Sequence, residues 1–457
     1  MRLPLDWLNE FVDVSDIPPA ELAEKLTRSG LQVEAVEIVG AEPLSDFFVV
    51  AEVLTCEEIE GTHLHKTTVT DGTETFQIVC GAPNCRAGMK SILAKIGAIV
   101  PDGGFKIKKG KLRGVESNGM LCSWRELGIG TDHSGIAEID SSVANGTFAR
   151  EVAGGEKPSV VFDVEITWNR PDALSILGLA REFSAILHRP LKMPAIDFTE
   201  TEEDVNGLVK VRVDNPVKCP RYTARVATSV KDGPSPEFMA KRLELCGMRS
   251  LGLVVDVTNY VMLECGQPLH AFDDRTLAGA QIIVRDAFEG ETMKTLDGVE
   301  RKLDPSMLMI ADAEKATAVA GVMGGEATEI AGETNRVLIE SALFETTSTK
   351  ATASKLGIAS EAAYRYIRGV DKDLADRASR RACHLLQKYG QATIAQGVVD
   401  VDNREKPLNK DVSLNFENAR RLIGIPVGND AMVFILKSLG LTLRNEGSLT
   451  LFAGMES

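Results

Sequence analysis

Aromatic residues make up only 5% of this 457-residue chain, so its cores have to be built from Val, Leu, Ile and Ala. No run approaches the ~20 consecutive apolar residues that a membrane-crossing helix requires. The opening segment MRLPLDWLNEFVDV sets Asp6, Glu10 and Asp13 in an amphipathic pattern, which a secretory apolar region would not tolerate. Both absences lead to the expectation of a cytoplasmic protein without membrane contact. The eight cysteines (56, 80, 85, 122, 219, 246, 265 and 383) include no C-x-x-C, and of the six histidines only His63 and His65 are close. A disulfide framework and a zinc site are both disfavoured, and reduced, mostly buried thiols are expected. Also missing are an internal repeat, a low-complexity tract, a phosphate-cradling Gly-x-x-x-x-Gly-Lys loop and a recognisable Ser-His-Asp arrangement.

Basic excess is missing from the whole but not from every part. The net charge of −15 argues against a nucleic-acid partner for the chain at large. Between Phe76 and Arg125, however, nine basic residues face only two acids, Asp102 and Glu116. Such an island suits local phosphate contact; a solvated β face guarded by lysines explains it equally well.

The chain is too long for one core, and about 150 residues per domain predicts roughly three units. Leu5, Leu8 and Phe11 form one helical stripe, Pro18-Pro19 opens a second helix that Gly30 ends, and LQVEAVEIV alternates as a strand. Short strands cut by turns follow from Phe47 to about Asp140, including KSILAKIGAIVPDGG and GIAEI, at the spacing of a small barrel. VVFDVEI reads as a strand, Asn169 to Asp172 as a turn, ALSILGLAREFSAIL as a helix, and the acidic run Lys192 to Gly207 as a linker. Beyond it, LVKVRV, YTARVATSV, AQIIVRDA and ATAVAGVMGG are predicted strands. Pro236 to Cys246, Asp371 to Tyr389 and NARRLIG are predicted helices. The expected fold class is multidomain α+β.

Several blocks, in order, resemble one family. GAPNCRAG (Gly81 to Gly88), KIKKGKLRGVESNGMLCS (Lys106 to Ser123), NRPDALSILGLARE (Asn169 to Glu182), DVTNYVMLECGQPLHAFD (Asp256 to Asp273), AGVMGGE (Ala320 to Glu326), VLIESALF (Val337 to Phe344) and SEAAYRYIRGVD (Ser360 to Asp371) are similar to the β chain of bacterial phenylalanyl-tRNA synthetase. The resemblance implies an N-terminal α/β domain in two pieces (1–40 and 151–200) with an OB-fold tRNA-binding barrel (41–150) inserted between them. A larger mixed α/β editing domain (208–400) and a partial winged-helix-like domain (408–457) would follow. The family's synthetase-like and anticodon-binding domains would lie beyond residue 457. It further implies an α partner carrying the activation site, an α2β2 heterotetramer, the tRNA for phenylalanine, and ATP and Mg2+ used by the whole enzyme. No metal ligand and no cofactor is expected on this chain.

Phenylalanine and tyrosine differ by one hydroxyl, which an apolar activation pocket rejects weakly. A second site that hydrogen-bonds the phenol selects the error for hydrolysis. Glu340, a carboxylate in an otherwise apolar strand, needs a partner to be there at all. It is either the phenol's acceptor, as the resemblance implies, or half of an ion pair with Arg365 or Arg368. His270 is the candidate to orient the ester or a water. Thr258 and Asn259 offer polar groups beside it, unless they only close a turn. Gly321, Gly324 and Gly325 allow close backbone approach to a ligand. Ser360 and Ala362 fall where the family's pocket has a hydroxyl residue and a small residue; Ser360 stands where the family usually has threonine. In the barrel, Lys106, Lys108, Lys109, Lys111 and Arg113 are the candidate tRNA contacts, with Lys106 and Lys108 on one strand face. The alternative is a non-catalytic tRNA-binding and assembly scaffold with a decayed editing pocket.

Overall fold

Amphipathic spacing sets the first elements. In the computed structural model, helices Leu5–Phe11 and Pro19–Arg28 bury Trp7, Leu8, Phe11, Leu22 and Leu26. A three-stranded sheet places Ser159–Val164 between Arg2–Pro4 and Val33–Val39. The structure describes residues 1–40, 44–130, 132–152, 158–405, 411–444 and 450–453. Parts of the expected last domain (408–410, 445–449 and 454–457) therefore lie outside the described residues. The chain divides into two units, one of Met1–Glu37 with Val160–Ser457 and one of Ile38–Ser159.

The larger unit is organised by a mixed sheet in the strand order Glu200–Asp204, Thr393–Gln396, Arg221–Ser229, Val337–Leu343, Leu269–Asp273. The helices Leu253–Cys265 and Leu374–Gly390 cover one face, locked together by Glu264, which accepts from Nε and Nη2 of Arg381 at 2.7 and 2.8 Å. The other face packs on a second sheet that contains Gln281–Asp286, Leu308–Ala311 and Ala316–Val319. The amino-terminal piece is joined to this body by aromatic and ionic contacts: Trp7 stacks on Tyr260 at 4.3 Å between centroids, and Arg242 donates to Glu10 at 2.6 Å.

In the smaller unit, five strands pair in the order Thr75–Cys80, His65–Thr70, Phe48–Glu58, Lys90–Lys95, Gly119–Leu121. The sheet curls until its edges meet, with Asn118 N–H donating to Gln77 O at 2.8 Å and Val79 N–H to Ser117 Oγ at 3.1 Å, so the barrel is nearly closed. Val53, Val69, Ile78, Leu93 and Leu121 fill it.

Four sequence expectations are corrected. The acidic stretch read as a linker contributes the edge strand Glu200–Asp204, parallel to Thr393–Gln396. Main-chain pairing makes that strand, and its acidic side chains stay largely in solvent. GIAEI forms only a bridge at Ile139 to Lys90, and the run from Lys90 to Gly104 is a strand only to Lys95. ATAVAGVMGG is a hairpin, Ala316–Val319 with Met323–Gly324, turned at Gly321 with φ +67°. Leu253–Cys265 is a helix that the pattern did not reveal, because it is buried nearly all round and carries no polar face.

Gly178 shows how tightly the helix Ile176–Leu187 is seated. Ser175 caps it by accepting from Gly178 N–H at 2.9 Å, and a Cβ at Gly178 would lie 1.9 Å from the carbonyl oxygen of Asp172. Gly178→Ala should therefore destabilise the larger unit by about 2 kcal/mol or more in urea unfolding, although alanine is the better helix former by ~1 kcal/mol. A neutral or stabilising result would show that the Asp172 turn yields freely.

Candidate functional site

The strand Val337–Leu343 is flanked on both sides in its sheet, and its alternation sends Val337 and Ile339 to one core and Leu338 and Ala342 to the other. Glu340 shares the second face. Its cross-strand neighbours are His270 on one side and Ala224 on the other. Tyr222, paired with Ala342 and hence diagonal to Glu340, donates its phenol proton to Glu340 Oε2 at 2.7 Å. Glu340 is 7% exposed as a residue, and no cation pairs with its carboxyl group among the described residues. Arg365 is committed to Glu361 at 2.7 Å and to the carbonyl of Leu174 at 3.2 Å. Arg368 stacks between Trp168 and Tyr364, 4.3 and 3.5 Å from their ring centroids. The ion-pair alternative is thereby excluded. Burial pushes the Glu340 pKa up to about 7, opposed by the Tyr222 hydrogen bond.

His270 packs edge-on against Phe272, centroids 4.5 Å apart, and its ring nitrogens make no hydrogen bond among the described residues. The close wall on its other side is Gly324, where a Cβ would fall 2.4 Å from His270 Cε1. Desolvation lowers the His270 pKa to about 4, so the imidazole is neutral at pH 7 and one ring nitrogen is free to accept.

Glu340 and His270 line a cavity of about 420 Å³ that also receives Thr258, Asn259, Gly321, Gly324, Ser360 and Ala362. Eight of the nine residues singled out in the sequence for the hydrolytic site thus meet in one place; Gly325 does not line the cavity, and a Cβ there would fall 2.4 Å from Thr317 O. Thr258 and Asn259 close no turn: they lie in mid-helix, with Thr258 Oγ1 donating back to Val255 O at 2.7 Å. Ser360 caps the helix Glu361–Arg368, accepting from Ala363 N–H at 3.1 Å, and donates to Val322 O at 2.6 Å. Its hydroxyl therefore holds the glycine hairpin against the helix. Leu296, Ala318, Val319 and Met323 supply apolar wall.

Three polar residues escaped the sequence reading. Tyr222 is one. Gln267 and Tyr366 are the others, both hydrogen-bonded to the carbonyl of Ala342, at 2.9 and 3.0 Å, and together they brace the Glu340 strand. Tyr222 sits in a run legible as a strand, but only the register with Val337–Leu343 brings its hydroxyl to Glu340.

In the barrel unit, Ile107 is buried and Lys106 and Lys108 are exposed, but the expected strand face is not formed there: Lys106 makes only a bridge to Ile99, and the strand begins at Gly110. Lys109 and Lys111 share one carboxylate, Glu116, at 3.2 and 3.9 Å across the hairpin Gly110–Leu112/Val115–Ser117. Arg113 stands in its turn with φ +51°. Elsewhere in the basic island, Arg86 pairs with Glu138, Lys95 with Asp71 and Arg125 with Asp102. Lys90 is held by the carbonyls of Ser141 and Val143. Lys106, Lys108 and Arg113 have no carboxylate partner among the described residues.

Comparison with known proteins divides along the same line. A tRNA binding domain model matches residues 48–148, and a B3/4 domain model matches residues 218–391, which include every cavity residue named above. Phenylalanine–tRNA ligase β subunits of Anaeromyxobacter dehalogenans, Moorella thermoacetica and Syntrophus aciditrophicus are 44%, 43% and 42% identical over 97%, 98% and 96% of this chain. The chain belongs to the phenylalanine–tRNA ligase β-subunit family. It spans about half the length of the curated relatives it matches, 55%, 56% and 54% of those three. An N-terminal fragment of the phenylalanyl-tRNA synthetase β subunit from Pyrococcus horikoshii is a distant structural match, 15% identical, TM-score 0.32, covering 65% of this chain and 82% of the fragment. For this member of the family, no group of three or more His, Cys, Asp or Glu side chains is placed to hold a metal ion among the described residues. Nor is any helix among them long and apolar enough to cross a membrane.

The opposed shifts at Glu340 and His270 give a direct check. NMR of selectively labelled protein should find the Glu340 carboxyl titrating near pH 7 and the His270 imidazole staying neutral until about pH 4. A Glu340 midpoint near the usual ~4.3 would mean that water reaches the carboxylate freely.

Proposed function

We propose that this chain carries the proofreading site of a phenylalanine–tRNA ligase and hydrolyses tyrosine mis-attached to the tRNA for phenylalanine. The observation that carries the reading is Glu340: a buried carboxyl group whose Oε1 has no partner among the described residues, on the wall of a largely apolar cavity of about 420 Å³. Such a group is an acceptor waiting for a donor, and a phenol entering the cavity supplies one. Phenylalanine would leave the carboxylate unsatisfied, and sites built to bond a hydroxyl reject the analogue lacking it by up to about 10⁴-fold or more.

The ester end is served by the other residues. Neutral His270 accepts a hydrogen bond from the attacking water, or from a ribose hydroxyl of the tRNA, and orients it. Thr258, Asn259 and the main chain at Gly321 and Gly324 hold the aminoacyl group. Ser360 keeps the hairpin and the helix bearing Ala362 in register. Hydrolysis by this set proceeds through positioning and polarisation of the nucleophile, with no acyl-enzyme.

Residues 41–150 fit the reading as an OB-fold barrel. Lys106, Lys108 and Arg113, uncommitted to carboxylates, and the half-committed Lys109 and Lys111 would take phosphates of the tRNA. In the complete enzyme an α partner would supply activation of phenylalanine with ATP and Mg2+, in an α2β2 assembly, and residues 408–457 would belong to a winged-helix-like domain.

The test is hydrolysis of Tyr-tRNA and Phe-tRNA, both on the phenylalanine tRNA, by the chain and by Glu340→Ala. The chain should clear the tyrosyl ester preferentially, and the variant should lose that preference by about tenfold or more. If neither ester is cleared while tRNA still binds, the scaffold reading replaces this one. Replacing Lys106, Lys108 and Arg113 together by alanine should weaken tRNA binding and lower the slope of log K against log salt by roughly two to three.

A further inference from the structure

We infer that Tyr222 is a positioning residue that sets the specificity of the cavity: its phenol occupies one oxygen of Glu340 and leaves the other as the reader of a substrate hydroxyl. This rests on the hydrolytic reading above and assigns the part of the site that lies behind its wall.

The geometry is that of a bracket. Tyr222 is fully buried, and its hydroxyl donates to Glu340 Oε2 at 2.7 Å. A phenol has one proton to give, so Tyr222 leaves Oε1 without a donor, on a residue that lines the cavity. The bond orients the carboxyl group about its last torsion, which is otherwise broad. It also favours the ionised, acceptor form over the neutral acid.

The groups packed around Glu340 leave Tyr222 as its donor. Cys219, ahead of the same strand, sits in an apolar core and is not in hydrogen-bond contact with the carboxylate. His270 on the next strand is held neutral by burial. Tyr366, from the helix Glu361–Arg368, spends its proton on Ala342 O at 3.0 Å. Glu329 and Glu361 line the cavity further out, the latter paired with Arg365 at 2.7 Å. Glu340 has burial raising its pKa to about 7 and Tyr222 holding it from going higher. Without that phenol the carboxyl would be largely protonated at neutral pH, and Oε1 would present a proton where the substrate also presents one.

Tyr222→Phe keeps the ring and removes only the donor. Its expected signature is a fall of about tenfold in Tyr-tRNA hydrolysis at pH 7, with Phe-tRNA hydrolysis unchanged. The pH midpoint of tyrosyl clearance should move up by about one unit, with partial recovery at pH 8.5 after subtracting spontaneous ester loss. Combining it with Glu340→Gln should add nothing, since Tyr222 acts through the carboxylate. Placing 3,5-difluorotyrosine at 222, a stronger donor of almost the same size, should move the midpoint down, and it carries the test if the phenylalanine variant folds poorly. A wild-type midpoint and preference in both variants would make Tyr222 a packing residue and overturn the inference, while loss in Glu340→Gln alone leaves the hydrolytic reading intact. If Glu340→Gln itself keeps the tyrosyl preference, the hydrolytic reading fails first and this inference with it.

Discussion

A buried carboxylate without a cation is the constraint around which the larger unit is arranged. Transferring an ionised group from water into an apolar interior is expensive unless it is hydrogen-bonded or neutralised. At Glu340 the protein does some of each: one phenol hydrogen bond, and a proton affinity near neutrality. The strand that carries it is braced behind by Gln267 and Tyr366 on the carbonyl of Ala342, so the unfavourable group is fixed by favourable ones. The same logic gives His270 its character. Packed against Phe272 and the bare main chain of Gly324, it loses solvent and stays uncharged. Two titratable groups side by side are thus driven in opposite directions by one cause, the exclusion of water.

Charge is handled differently in the two units. In the larger one, arginines are structural: Arg381 satisfies the fully buried Glu264, and Arg225 reaches Asp376 at 2.7 Å and the carbonyl of Gly397 at 3.0 Å. In the barrel, six of the nine basic residues of the island meet carboxylates or carbonyls, Lys109 and Lys111 sharing Glu116, and Lys106, Lys108 and Arg113 are left without a carboxylate among the described residues. An overall charge of −15 and a local cationic ridge are therefore compatible, because screening in solution confines each to about a Debye length.

Much of this was legible beforehand, for identifiable reasons. The amino-terminal helices and the strand around Glu340 announce themselves through period and polarity, and the eight cavity residues lie in motif blocks that could be read in order. What stayed hidden depends on pairing. A polar edge strand such as Glu200–Asp204 is made by main-chain bonds and has no hydrophobic signature. The helix Leu253–Cys265 is too thoroughly buried to show a face, so Thr258 and Asn259 were open to being read as turn residues. Tyr222 lies 118 residues from its partner, and its role exists only once Arg221–Ser229 and Val337–Leu343 are placed in register.

The strands Val33–Val39 and Ser159–Val164 are neighbours in one small sheet, although the whole barrel lies between them in sequence. The chain leaves that sheet and comes back beside its point of departure, so the intervening segment behaves as a cassette. Loop-closure entropy grows only by about 0.6 kcal/mol per doubling of length, so a long segment at this point costs the host little more than a short one. The barrel and the cavity can in this way be altered separately, since a change of cassette leaves the register around Glu340 as it was.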